Sequence, residues 1–411
     1  MQRWTRASLV VMLGLVLVVG STVPTAAQQP TPVDVFVGFR SRPGQAEEAL
    51  IRQASGRVRH RYTIVNAIAA RLPSTALQAL RNNPNVTVVE PDIEVRAIHI
   101  NATDSQKEVK NAWGVDRLDG EVLHTAGKTG SGVRLAIVDS GSGPHQDLNI
   151  ASENRLGCIG QPCKQGSGSG YDDDNGHGSH VAGSAAAKAG NTEAPYGGVV
   201  GMAPGATLIS LKVLGADGGG SYSDVVAALE WLVNTGGGTL GGTLQVANFS
   251  LGSSGDPGVT VKAAFDKAYN NNILIMAAAG NSGNRAGRGD NVIYPARYES
   301  AVAVAATDTS DKRPSWSSTG PAVDLAAPGV SIWSTTKGND GYGYMSGTSM
   351  ATPHASGAAA LVAASGVCSS HTCVRERLLS TANSLGPENH YGRGLVDPLE
   401  ATGTGSLETH K

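Results

Sequence analysis

Four polar residues each border an apolar or small-residue segment, and together their side chains could carry acyl transfer. Asp139 follows the apolar run 133–138, Asn281 closes 273–279 after one glycine, His177 stands between two glycines ahead of the small-residue stretch 178–189, and Ser349 precedes the alanine-rich run 355–364. A serine hydroxyl attacks a carbonyl only when a base takes its proton. His177 is the candidate base, Asp139 the carboxylate to orient its ring, and Asn281 an amide able to donate to a developing oxyanion. Singly, each has a plainer explanation: Asp139 and Asn281 as turn residues, Ser349 as a helix N-cap. His177 and His180 could be read as metal ligands, but their i, i+3 spacing lacks the glutamate of His-Glu-x-x-His and no third ligand is evident. The chemistry rests on all four occurring in one chain.

These residues need a rigid frame. Apolar segments at 133–138, 207–213, 244–251, 273–279, 301–306 and 323–327 alternate with helical stretches at 178–189, 221–234, 259–270, 348–364 and 374–384. Continuously apolar strands alternating with helices predict α/β class: a mostly parallel sheet covered on both faces, in three layers. Function in such sheets gathers at the carboxyl ends of strands, where Asp139 and Asn281 fall.

Residues 33–98 read as a small α+β, ferredoxin-like unit. Its strands are expected at 33–39, 62–65, 67–72 and 86–89, its helices at 46–54 and 74–80, with Ser74 as N-cap. Residues 97–109 are polar and weakly patterned and read as a linker. At the N-terminus, Arg3 and Arg6 precede an apolar run, 9–19, and then Pro24, Thr25, Ala26 and Ala27, the pattern of an export signal over 1–27. That run is short for a membrane span, so a soluble, secreted protein with no membrane partner is expected. The 32 Lys+Arg against 34 Asp+Glu give no basic excess to bind nucleic acid. Four cysteines suit an oxidising compartment. Three disulfide connectivities are possible; short loops favour Cys158–Cys163 and Cys368–Cys373, and the alternative, a four-cysteine metal site, lacks any Cys-x-x-Cys knuckle.

The motifs carry a resemblance. Residues 137–141 (Ile-Val-Asp-Ser-Gly), 176–183 (Gly-His-Gly-Ser-His-Val-Ala-Gly), 277–281 (Ala-Ala-Ala-Gly-Asn) and 347–354 (Gly-Thr-Ser-Met-Ala-Thr-Pro-His) resemble the signatures of the subtilisin-like serine proteases. The chain order Asp, His, Ser is also theirs. Likeness at 200–204, 213–218, 248–252, 326–330 and 391–396 extends the match over about 113–402. The resemblance implies Ser349 as nucleophile, His177 as base and then acid, Asp139 as orienter, and Asn281 with the Ser349 N–H as oxyanion hole, working through an acyl-enzyme. His180 is then structural. It also implies a peptidase domain over 106–402, a self-cleaved inhibitory and chaperoning propeptide over 28–105, and an unmatched tail, 403–411. The implied partners are polypeptide substrates and the chain's own propeptide on a monomer, and catalysis needs no cofactor.

Substrate is expected as an extended strand between two sheet edges, a form of β-augmentation. By resemblance the edges are Gly218, Gly219, Gly220 and Ser250, Leu251, Gly252, with Tyr222 and Leu251 lining an apolar subsite. Ile293 falls in the wall of the pocket for the residue before the cleaved bond and would shallow it; no acidic residue there favours a basic side chain. Structural calcium is implied through Asp147, although the loop 190–198 departs from the family pattern. Asp172, Asp173 and Asp174 could bind a cation, but three acidic residues in a row are more often a solvated loop. The competing reading is a catalytically silent relative that only binds polypeptides. Its mark would be a missing triad residue, and none is missing.

Overall fold

A computed structural model describes residues 31–101, 112–190, 198–236 and 245–405. The expected export signal, residues 102–109 of the expected linker, most of the 190–198 loop and residues 406–411 lie outside the described residues. The main sheet has eight strands in the order Leu325–Pro328, Ala301–Thr307, Ile273–Ala278, Gln245–Phe249, Arg134–Asp139, Thr207–Lys212, Arg155–Gly157 and Lys164–Gln165. Every pairing is parallel except the last.

Side chains alternate across this sheet, which is why its strands are apolar throughout. Leu135 and Ile137 enter a core shared with the helices His177–Ala186 and Thr348–Ala364, whereas Ala136 and Val138 enter a second core with Tyr222–Gly236 and Val259–Tyr269. This is the expected three-layer α/β/α arrangement. The last expected helix starts earlier than its apolar pattern, at His371, because the Ser370 hydroxyl accepts the Cys373 N–H as an N-cap. The short edge strands at 155–157 and 164–165, and the hairpin Ile332–Thr335 with Tyr342–Ser346, have no long apolar run and were not expected from the sequence.

The small unit has antiparallel strands in the order Arg57–Arg61, Ala67–Pro73, Pro32–Phe39 and Val86–Pro91, with helices Gln45–Gln53 and Leu77–Arg81. The class is as expected, with three local corrections. The second strand lies at Arg57–Arg61, where three arginines and a histidine mask the β pattern, and 63–66 form the bend after it. Ser74 does not cap a helix; it opens a 3-10 turn with no side-chain cap bond, and α-helix begins at Leu77. The stretch 97–101 is no free linker. Glu94–Ala97 is a strand, and Ile100 and Asn101 pair with Ser346 and Met345. Phe36, Tyr62, Ala67 and Ala69 share the core of Val225, Leu229 and Ala264, so one face of the small sheet packs on the outer helices of the large domain.

Candidate active site

The helix carrying Ser349 begins one residue before it, at Thr348, with Gly347 as N-cap. Ser349 is therefore inside the first turn and caps nothing. Pro353 stands four residues later and has no N–H to offer the Ser349 carbonyl. The Ser250 hydroxyl fills that place at 2.8 Å and itself accepts the Asn248 amide at 2.9 Å, whose oxygen takes the Ser356 hydroxyl. Asn248, part of a glycosylation-type sequon, is thereby wholly buried. The Thr348 N–H and hydroxyl both donate to Asn281 Oδ1, at 3.0 and 2.9 Å, which turns the Asn281 NH₂ toward the cleft.

Asp139 and His177 are fully buried, with Nδ1 of the ring 2.8 Å from Asp139 Oδ1. The same oxygen accepts the Ser140 N–H at 2.7 Å. His177 is the first residue of its helix, and the preceding Gly176 has φ +110°, a conformation that strongly favours glycine. Asp173 secures this helix start by accepting the N–H groups of Asn175, Gly176 and Ser179, while the Ser140 hydroxyl binds its Oδ1. The acidic run 172–174 is thus not the solvated loop expected: Asp172 pairs with Arg155, and Asp174 with Lys212. His180 donates from Nε2 toward the Ile332 and Gly343 carbonyls, and burial pushes its pKa down to about 3.

The cleft is filled by the chain itself. Strand Glu94–Ala97 lies antiparallel between two edges, Gly219–Ser221 on one side and Leu251–Gly252 on the other. The Ala97 N–H reaches the Gly218 carbonyl at 2.9 Å. Val95 is buried in one cluster with Tyr222, Leu214 and Leu251. The next residue, Ile98, presents its carbonyl oxygen to Asn281 Nδ2 at 3.3 Å, and the Ser349 hydroxyl contacts the same oxygen. The His99 ring then packs at 5.1 Å against that of His177, tilted by 37°. A Cβ on Gly347 would come within 2.8 Å of the Ile98 oxygen, so glycine keeps this space open. Ile293 is buried against Gly252 and Gly280; a Cβ on Gly252 would stand 2.6 Å from its Cδ1.

Behind this strand the small unit grips two helix starts. The Glu90 carboxylate accepts the Val259 and Thr260 N–H groups at 2.6 and 3.1 Å, and Asp92 accepts that of Ser223 at 3.0 Å. Arg59 and His60 meet Asp224 at 3.5 and 3.2 Å, and the Tyr62 hydroxyl reaches the Ser223 carbonyl. Elsewhere, sulfur pairs form at Cys158–Cys163 and Cys368–Cys373. Asp147 is buried, with one oxygen taken by the Tyr342 hydroxyl at 2.6 Å and the Val199 N–H at 3.2 Å, while its Oδ1 has no partner among the described residues. Calcium needs six to eight oxygens. One free carboxylate oxygen suits such an ion but does not make a site by itself.

Ile98, His99, Lys212 and Thr348 were not singled out from the sequence. The alternation of 94–98 (Glu-Val-Arg-Ala-Ile) was the available signal for a docked strand.

Residues 130–394 match the model of the subtilase family, and 37–97 that of the peptidase inhibitor I9 family. The chain is 40% identical over 343 residues to an alkaline protease of Alkalihalobacillus alcalophilus, covering 84% of this chain and 81% of that one. It is 38% identical over 382 residues to subtilisin J of Geobacillus stearothermophilus, covering 92% of both. Subtilisin BL of Lederbergia lenta is 43% identical over 290 residues, 71% of this chain and 98% of the relative. A buried Asp–His pair, a serine in a helix's first turn and a strand-lined cleft occupied by an inhibitor-like unit accompany those matches: the chain belongs to the subtilase family and is a subtilisin-like serine endopeptidase with an I9-type propeptide.

Proposed function

We propose that this chain is the precursor of a secreted endopeptidase that uses Asp139, His177 and Ser349 and cuts its own propeptide away at the Ile98–His99 bond. The observation that carries this is the Ile98 carbonyl oxygen, held between the Asn281 amide and the Ser349 hydroxyl while residues 94–97 occupy the groove as a strand. In the reaction Ser349 Oγ attacks the Ile98 carbonyl carbon as His177 Nε2 takes its proton. Asp139 holds the Nδ1–H and stabilises the imidazolium. The oxyanion is received by the Asn281 NH₂ and the Ser349 N–H. His177 then gives the proton to the His99 nitrogen, the C–N bond breaks, and Ile98 remains as an ester on Ser349 until water, deprotonated by the same ring, releases it.

On this reading the propeptide ends at Ile98 and the mature enzyme starts at His99. After release the same groove takes polypeptide substrates, with Gly218–Gly220 and Ser250–Gly252 as edges, Tyr222 and Leu251 beneath a buried apolar residue, and Ile293 beside the cleaved bond. Asp147 would lend one oxygen to a structural calcium, with no part in the chemistry.

Mass analysis of the secreted product tests the proposal: a mature chain beginning at His99 is expected, and Ser349→Ala is expected to leave residues 98 and 99 joined and to hydrolyse no peptide. A mature, folded sample that a serine-directed phosphonate fails to label at Ser349 would return the silent binding relative to favour. Normal processing in the Ser349→Ala chain would instead show that another protease makes the cut.

A further inference from the structure

Lys212 closes the strand Thr207–Lys212 directly opposite Asp139 and is 1% exposed. Its ammonium has three protons and uses them on three segments of chain. It donates to the Ser140 carbonyl at 2.6 Å, to Asp174 Oδ1 at 2.6 Å and to the Leu214 carbonyl at 3.0 Å. Ser140 is the residue whose N–H fixes Asp139 Oδ1. Asp174 lies three residues before His177. Leu214 leads into the edge Gly219–Ser221 that pairs with the docked strand, and its N–H, with that of Val213, also binds the Asp139 carbonyl. One cation therefore ties together the orienting carboxylate, the base and the substrate edge.

We propose that Lys212 is a positioning residue for the Asp139–His177 pair, and that its ion pair with Asp174 balances the charge around His177. A lysine kept only to fill space could give way to methionine at the cost of stability alone. Here the ammonium is one peptide removed from Asp139, in a site where a charge acts over a longer range than in water. The other charged or titratable groups around His177 are Asp139, bonded to its Nδ1, Asp173 and His180 on its own loop and helix, His99, whose ring packs on it and which starts the mature chain, and Lys337, whose Nζ lies 3.4 Å from the Asp174 carbonyl. Removing Lys212 leaves Asp139, Asp173 and Asp174 to favour the imidazolium. Removing the Asp174 charge leaves the ammonium to oppose it.

The inference rests on the triad reading and is tested on mature enzyme by the pH profile of kcat/KM for a peptide substrate. Lys212→Met is expected to move the acidic limb upward by about half a pH unit, and Asp174→Asn to move it downward by a similar amount. The double variant is expected to lie near wild type. A merely structural role would lower the plateau without opposite displacements, so limbs that stay fixed or move together overturn the proposal. Should Lys212→Met fail to mature, Asp174→Asn carries the test, because that side chain is about one-third exposed and its loss leaves no cavity; an unmoved limb there is equally adverse. Failure of the triad reading looks different: wild-type enzyme would then neither hydrolyse peptide nor label at Ser349.

Discussion

The Ile98 carbonyl oxygen lies 3.3 Å from Asn281 Nδ2, and the opposite end of that amide is pinned by two donors from Thr348. The amide cannot rotate without losing both, so its NH₂ is preorganised for an oxygen in this place before any charge develops. Asn281→Leu is therefore expected to lower kcat and leave KM nearly unchanged. The expected loss, about 10²–10³, is the one established for removal of the oxyanion-hole asparagine in subtilisin itself. Steady-state kinetics on a peptide substrate decide it: a rise in KM with kcat intact would make Asn281 a binding residue.

The propeptide holds the helix Val259–Tyr269 by its start. That helix has Gly258 as N-cap, which offers no side chain, and Glu90 supplies the acceptor from outside at Val259 and Thr260. On the proposed processing, the mature helix would lose this cap when the propeptide leaves, which would give the small unit a physical reason to assist folding. Glu90→Ala is expected to weaken the hold by about 1–2 kcal/mol, or roughly 5- to 30-fold. The measurement is the rate at which activity appears after cleavage. An unaltered rate would mean that the Arg59, His60 and Asp92 contacts carry the interface alone.

Much of this was legible in the sequence, for a reason particular to parallel sheets. Segments such as 133–138 and 301–306 must be apolar on both faces, so they announce themselves, and the polar residue that ends each one is conspicuous. Asp139 and Asn281 stand out in that way. The strand at Arg57–Arg61 was hidden because its outward residues are arginines, and 94–98 because its apolar face is completed by another domain's groove. Lys212 left no signal at all. In the sequence it is one charged residue inside the otherwise apolar run 207–213, and only the fold shows that its ammonium is buried against Ser140, Asp174 and Leu214.

Two fully buried imidazoles tie the stability of the fold to pH. Burial lowers His180 to about 3 and His354 to about 4 from an ordinary value of 6.5. The unfolded chain takes up these protons first as pH falls, so the stability associated with the neutral rings is present above about pH 6.5 and is lost below it. Each ring contributes about 1.4 kcal/mol per pH unit in that window. Asp92 and Asp324, raised by burial, act in the opposite sense as their carboxyls titrate. Urea midpoints of the Ser349→Ala precursor, chosen because the proposed function has it unable to digest itself, are expected to fall across that window, and His180→Gln to lessen the slope. A midpoint flat from pH 7 to 5 would remove this account.

On the proposed function, Ile293 bears on which bond is cut. Its side chain is buried against Gly252 and Gly280, two glycines whose Cβ positions it would contest at 2.6 and 2.9 Å. Gly252 also pairs with the docked strand at Arg96, two residues before Ile98. If Ile293 walls the pocket for the residue before the cleaved bond, as the proposed function has it, its branched side chain favours a medium apolar residue, such as Ile98 itself, over a large aromatic one. Ile293→Ala removes three carbons from that wall. Discrimination of one or two methylenes in an apolar pocket is worth about 1–3 kcal/mol, so kcat/KM for phenylalanine before the cleaved bond is expected to rise about tenfold relative to valine. The ratio of the two rates in one competitive assay cancels errors in enzyme concentration. If it stays constant while both rates fall, Ile293 supports the Gly252 edge and does not bound the pocket.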